Sequence, residues 1–196
     1  MSGGEDATWL APVAGREGRA PRGPAARSDR ALVRAAQRGD ADALAALFRA
    51  HWGMAQRAAY LVVHDAGAAE DIAQEALLSA IRALDRFDRR RPFGPWLHRI
   101  VVNRAIDHAR ARALRREVAV TEPAEAAAPE EPGRRDELVA ALAGLPPDQR
   151  AVIVLRHLLE YTPGEIAALL DLPRGTVNSR LRRGLDALAR TLEAER

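Results

Sequence analysis

The chain has 196 residues, 47% hydrophobic but only 4% aromatic, with a formal net charge of +3. Its cores must be built from Ala, Leu, Val and Ile, which favours helices packed on helices in one or two small domains. It has no cysteine, which excludes disulfides, thiolate metal sites and cysteine nucleophiles, and no apolar run approaches the ~18 residues of a membrane span.

The first 27 residues contain Gly, Pro and Arg without the apolar segment of a secretory signal, and read as a disordered tail. A short helix is expected over about 29–38, before Gly39-Asp40. From 41 to 63, Leu44, Leu47, Phe48, His51, Ala55, Ala58 and Val62 follow the helical period. Asp65 is placed to cap a third helix, about 66–85, with Ile72, Ala76, Ala80 and Leu84 inward and Phe87 closing it. The loop DRRRPFGP (88–95) interrupts with two prolines, and a helix resumes over 96–116 with Trp96, Leu97, Ile100 and Ile106 available for packing.

Residues 117–135 hold three prolines, a glycine and no helical stripe, so they read as a flexible acidic linker. Helices at about 136–143 and 147–159 then bury Leu138, Leu142, Val152, Leu155 and Leu158. In YTPGEIAALLDLPRGTVNSRLRRGL (161–185), Ile166, Leu169 and Leu170 share one face of a short helix. A tight turn follows at Asp171-Leu172, with Asp171 suited to a left-handed conformation and Pro173 to a first helical position. The next helix turns Val177, Leu181, Leu185, Leu188 and Leu192 inward, and Arg174, Asn178, Ser179, Arg182 and Arg183 outward. That is the layout of a helix-turn-helix, whose second helix offers phosphate ligands and base-edge readers to a major groove.

The net charge hides segregation. Residues 65–88 carry six acids against two Arg, 89–116 nine Arg against one Asp, 117–137 seven acids against two Arg, and 173–196 six Arg against three acids. Such alternation points to several macromolecular contacts. All 30 basic residues are Arg, the stronger bidentate donor to phosphate and guanine. No Walker sequence or kinase-like loop is present to bind a nucleoside triphosphate.

Three segments carry a resemblance: AEDIAQEALLSAIRALDRF (69–87), FGPWLHRIVVNRAIDHAR (93–110) and LPPDQRAVIVLRHLLEYTPGEIAALLDLPRGTVNSRLRRGL (145–185). With these in order over 28–193, the chain resembles RNA polymerase sigma factors of the extracytoplasmic-function group. The resemblance implies an all-α protein of two small helical domains: region 2 (28–116) and region 4 (136–193), joined by the acidic linker. It implies a non-catalytic, cytoplasmic subunit that directs core RNA polymerase to promoter DNA, with no cofactor, metal, small-molecule substrate or membrane insertion. An anti-sigma protein is a further candidate partner, since relatives are commonly restrained that way.

Residue by residue, the resemblance places Asp71, Gln74 and Glu75 against a basic coiled coil of the polymerase. It puts Arg89, Arg90, Arg91 and Asn103 around an extruded base of the −10 element, with Arg99, Arg104 and Arg110 on its backbone. Arg156, Arg174, Thr176, Asn178, Ser179, Arg182 and Arg183 are matched to the −35 element, Arg156 on a phosphate. Phe93 and Trp96, at helical spacing from Leu97 and Ile100, are expected in the core rather than as stacking platforms. Two other readings compete. A stand-alone helix-turn-helix regulator should bind duplex DNA without polymerase. A histidine-aspartate metal phosphohydrolase would need His51, His64, Asp65, His98, Asp107 and His108 to converge, whereas His51 falls on the apolar stripe with Phe48 and Ala55.

Overall fold

The computed structural model describes residues 24–118 and 134–194, and among them the regular structure is helical, without strands. The segment 1–23 of the expected tail and 119–133 of the expected linker lie outside the described residues, whereas 24–27 already belong to a helix.

α1 (Pro24–Ala36) and α2 (Ala41–Val63) meet at a turn where Gly39 takes φ +90°, a conformation L side chains rarely adopt. Asp40 caps α2, its Oδ1 accepting the Ala43 N–H at 3.0 Å. α2 ends at His64, in the left-handed region. The next residue starts α3 (Ala66–Ala83), Asp65 Oδ1 accepting the Ala68 N–H at 3.0 Å as the sequence predicts. α3 runs through a single 3-10 turn at Leu84–Arg86 into Phe87. α4 (Phe93–Val118) begins three residues before the expected 96. Pro95 lies in its first turn, where backbone N–H groups have no intrahelical partner, so the proline removes no helix bond.

The second half contains α5 (Arg134–Ala143), α6 (Pro147–Ile153) continued by a π turn at Val154–Leu158, α7 (Pro163–Leu170) and α8 (Arg174–Ala194). A capping box opens α7: Thr162 Oγ1 accepts the Glu165 N–H at 3.3 Å, and Glu165 Oε2 accepts the Thr162 N–H at 2.9 Å. Asp171 ends it at φ 55°, ψ 50°, the left-handed cap expected from its side chain. Pro173 stands immediately before α8, its carbonyl accepting the Val177 N–H at 3.2 Å.

The two halves share one hydrophobic core. Alanines pave it on α2 and α3, at Ala55, Ala58, Ala59, Ala69, Ala73, Ala76 and Ala80, so these helices approach closely. α6 packs on both α2 and α4, and α7 on α4, with Val152, Leu155 and Ile166 fully buried.

Two expected core residues are elsewhere. Leu138 is 43% exposed and Leu185 42%. α5 is buried only toward its C-terminal end, at Ala141, Leu142 and the following Leu145; periodicity reports a helix face but not how far neighbours cover it. On α8 the buried line is Val177, Leu181, Gly184 and Leu188. A Cβ on Gly184 would stand 2.7 Å from Ile153 Cδ1, so the closest approach to α6 runs through the glycine and turns Leu185 outward.

Candidate nucleic-acid interface

On α3 the inward residues Ile72, Ala73, Ala76, Leu77 and Ala80 leave Asp71, Gln74, Glu75 and Leu78 in one exposed row. Leu78, 40% exposed, supplies an apolar neighbour that the acidic pattern did not single out. Arg104 reaches this row from α4, donating to Glu75 Oε2 at 2.7 Å and to Ser79 Oγ at 2.6 Å. At about 100° per residue, Arg99, Asn103 and Arg110 fall within about 40° of one another on α4, whereas Arg104 is turned about 140° from Arg99. Arg104, expected on the DNA side, thus stands with the residues expected at the polymerase.

The arginine loop between α3 and α4 has a defined start. Asp88 Oδ1 accepts the Arg90 N–H at 2.9 Å and its carbonyl the Arg91 N–H at 2.9 Å, an Asx-type turn that leaves Arg89, Arg90 and Arg91 exposed. Its flanks are aromatic: Phe87 and Phe93 are buried with centroids 5.9 Å apart, and Trp96 lies 4.6 Å from Phe87. Phe93 is therefore core, as expected. Trp96 is half-buried and walls a cleft shared by Arg91, Arg99, Tyr161 and Glu165. Along α4, Arg99 is exposed, Asn103 half-buried, and Arg110 donates to Asp148 Oδ1 at 2.6 Å.

His98 points into the seam between the halves, Nδ1 lying 2.8 Å from the Tyr161 hydroxyl. Burial lowers its pKa to about 4, so it is neutral there. His64 is held at about 4 chiefly by burial and then by the nearby Arg150. The guanidinium of Arg150 donates to the Val62 carbonyl near the C-terminus of α2, to Ala143 O at 3.1 Å and to Leu145 O at 2.8 Å. His51 pairs with Asp29 at 3.1 Å and packs on Phe93. His51 and His98 both border Gly94, each bonded to a different partner, and His108 lies near Asp65, yet no cluster of potential metal ligands occurs among the described residues.

On α8, Arg174, Asn178 and Arg182 form an exposed row at i, i+4 and i+8, with Arg183 beside it and Thr176 and Ser179 half-buried. Arg183 folds back on its own helix, Nε donating to the Ser179 carbonyl at 3.3 Å and Nη2 to Ser179 Oγ at 3.3 Å. Arg156 lies in the π turn, exposed, its Nη1 donating to Tyr161 O at 3.2 Å.

The family description "Sigma-70 region 2" matches residues 47–115 and "Sigma-70, region 4" matches 135–188. The ECF RNA polymerase sigma factor SigW of Bacillus subtilis is 34% identical over 82% of this chain and 94% of its own length. The chain belongs to the extracytoplasmic-function sigma factors. SigM of Mycobacterium tuberculosis is 36% identical, with 85% of each chain covered. CnrH, solved in complex with the cytosolic domain of CnrY, superposes with a TM-score of 0.66 at 30% identity, over 86% of this chain and 99% of that one. In this sigma factor α1 lies outside both family matches. Sequence reasoning did not single out Gln37, Asp148, Arg150, Tyr161 or Arg180. Each acts through a partner distant in sequence or hidden on another helix, and no local pattern marks such a residue.

Proposed function

We propose that this sigma factor docks on core polymerase through Asp71, Gln74, Glu75 and Leu78, captures and opens the −10 element with the 88–92 loop and α4, and reads the −35 element with α8. The carrying observation is the α7–α8 pair. Its left-handed Asp171 turn sets a helix whose buried Val177, Leu181 and Gly184 leave Arg174, Asn178 and Arg182 facing outward. Arg156 and Arg174 suit phosphates, which position the helix, and Asn178 and Arg182 suit base edges, which specify sequence. Thr176, Ser179 and Arg183 complete that face.

Opening DNA without a nucleotide requires contacts that outweigh unstacking, on the order of a few kcal/mol per step. Arg89, Arg90, Arg91, Arg99 and Arg110 provide several phosphate ligands, and Asn103 an amide for the extruded base. Arg104 adds charge between the −10 face and the polymerase face. The protein works as a non-catalytic initiation factor in the cytoplasm, where the polymerase acts; among the described residues no helix is long and apolar enough to cross a membrane. An anti-sigma protein is a fitting partner, in keeping with the likeness to CnrH, which was solved with a protein partner, the cytosolic domain of CnrY, bound to it.

In vitro transcription of a genomic promoter library with core polymerase tests the reading. Promoter-specific transcripts should require both core and this chain. Equal promoter footprints by the chain alone would instead make it a stand-alone helix-turn-helix regulator.

A further inference from the structure

The turn after α1 sends one side chain across the domain to the start of the arginine loop. Gln37 is held in place by its own backbone N–H, which donates to Val33 O at 2.9 Å. Its side-chain Nε2 donates to the Leu84 carbonyl at 2.8 Å and the Phe87 carbonyl at 3.1 Å, 47 and 50 residues away. Both acceptors belong to the chain leaving α3; the Leu84 carbonyl already accepts the Phe87 N–H at 3.0 Å and takes the amide on its second lone pair. A carboxamide has two N–H protons, one for each carbonyl. Phe87 is the last residue before Asp88, whose turn presents Arg89, Arg90 and Arg91. At the far end of the loop, Phe93 is buried beside Phe87. Gln37 is thus the polar half of a clamp whose apolar half is the Phe87–Phe93–Trp96 cluster.

We propose that Gln37 is a positioning residue for −10 base capture: it sets the direction in which the arginine loop leaves α3, and so where a flipped base meets the loop and Asn103. This rests on the proposed −10 role of that loop. Loops loosened by even a small displacement lose pre-organised contacts. The effect belongs to strand opening, because Asp71, Gln74 and Glu75 lie on the exposed face of α3 and α8 lies in the other half.

The test uses full-length variants assembled with core polymerase. Gln37→Met keeps the size and removes both donors; Gln37→Lys returns N–H donors, and its ammonium suits the C-terminal end of α3. Base unstacking is followed by 2-aminopurine fluorescence at successive −10 positions, alongside core affinity and binding to a duplex carrying only the −35 element. Gln37→Met should reduce unstacking by about five- to tenfold, as expected from two lost hydrogen bonds, with core and −35 binding unchanged. Gln37→Lys should recover most of the signal. Wild-type unstacking in Gln37→Met, an equal loss of core and −35 binding, or failure of Gln37→Lys to recover would each overturn the role. Asn103→Ala and a combined Arg89→Ala, Arg90→Ala, Arg91→Ala variant read the underlying site in the same assay. If these leave unstacking intact, the −10 assignment itself fails; if they abolish it while Gln37→Met does not, only the role of Gln37 fails.

Discussion

Asn178 stands exposed on α8, and its amide can donate to and accept from adenine N6 and N7. Asn178→Ala should relax preference at one A·T pair of the upstream element by roughly 1–3 kcal/mol, and Asn178→Arg should shift it toward G·C. A base-substitution scan with wild-type and variant holoenzymes measures both. Arg156 differs: it is exposed in the π turn, with one guanidinium nitrogen on the Tyr161 carbonyl at 3.2 Å and the remaining N–H groups left for a phosphate. Arg156→Ala should weaken all promoters alike and lower the salt slope of binding by about one unit. Buried histidines give the protein an acid-sensitive stability. His64 and His98 both have pKa values lowered from 6.5 to about 4 by burial, so below 6.5 the unfolded chain binds protons that the folded chain refuses. Stability is therefore complete above about pH 6.5 and falls as the pH drops toward 4. At pH 5 the loss should be about 2 kcal/mol per histidine. Urea unfolding at pH 7 and pH 5 reads it, and His64→Gln with His98→Gln should flatten the dependence.

At the scale of elements, α3 is distinguished by its exposed row and α8 by its close approach to α6. Asp71 sits in the exposed row of α3 without reaching the Glu75–Arg104 pair, so Asp71→Arg is a cleaner reversal than one at Glu75, which would face Arg104 with like charge. It should weaken core binding about tenfold while leaving helix content unchanged, because arginine is a good helix former and interface charges steer association. Co-purification with core polymerase over a salt series shows the outcome; undiminished recovery would remove Asp71 from the interface. On α8, Gly184→Ala places a Cβ 2.7 Å from Ile153 Cδ1. The overpacking should outweigh the gain in helix propensity and cost about 1–2 kcal/mol. Ile153→Val removes the opposing methyl group, so the double variant should be more stable than the two single effects predict, by about 1 kcal/mol in a double-mutant cycle.

The whole molecule is closed across the seam between its halves. Arg150 on α6 donates to the end of α2, Tyr161 meets His98, and Asp148 ties Arg110 of α4 while also accepting from Arg180 at 3.3 Å. Under the proposed function, reading two separated promoter elements would exchange these contacts for DNA, with Asp148 giving up Arg110 to a phosphate. Asp148→Asn with Tyr161→Phe should shift the closed-to-open ratio by about 30-fold, equivalent to about 2 kcal/mol, most of it from the buried hydroxyl pair and little from the surface ion pair. The chain has no native cysteine, so a cysteine introduced in each half can carry dyes specifically. A lower energy-transfer efficiency in the double variant is the expected result, and an unchanged one would show that other contacts hold the seam.

Much of this architecture was legible beforehand because it is encoded locally. Asp65 and Asp171 marked helix boundaries through short side chains that satisfy or relax nearby backbone, and the spacing of Val177, Leu181 and Leu188 marked a buried face. The family resemblance supplied candidate site residues, and the exposed row Asp71, Gln74 and Glu75 and the row Arg174, Asn178 and Arg182 lie on faces consistent with it. What the sequence by itself determined is the helical content, the caps, the turn of the helix-turn-helix and the segregation of charge, all properties of residues within a few positions of one another. Only the tertiary structure decided that Gly184 rather than Leu185 faces α6, that Arg104 turns to Glu75, and that Gln37 and Arg150 satisfy carbonyls 47 to 88 residues away. Those outcomes depend on which helices meet and how closely, and a periodic pattern along one helix specifies a face without naming what will cover it.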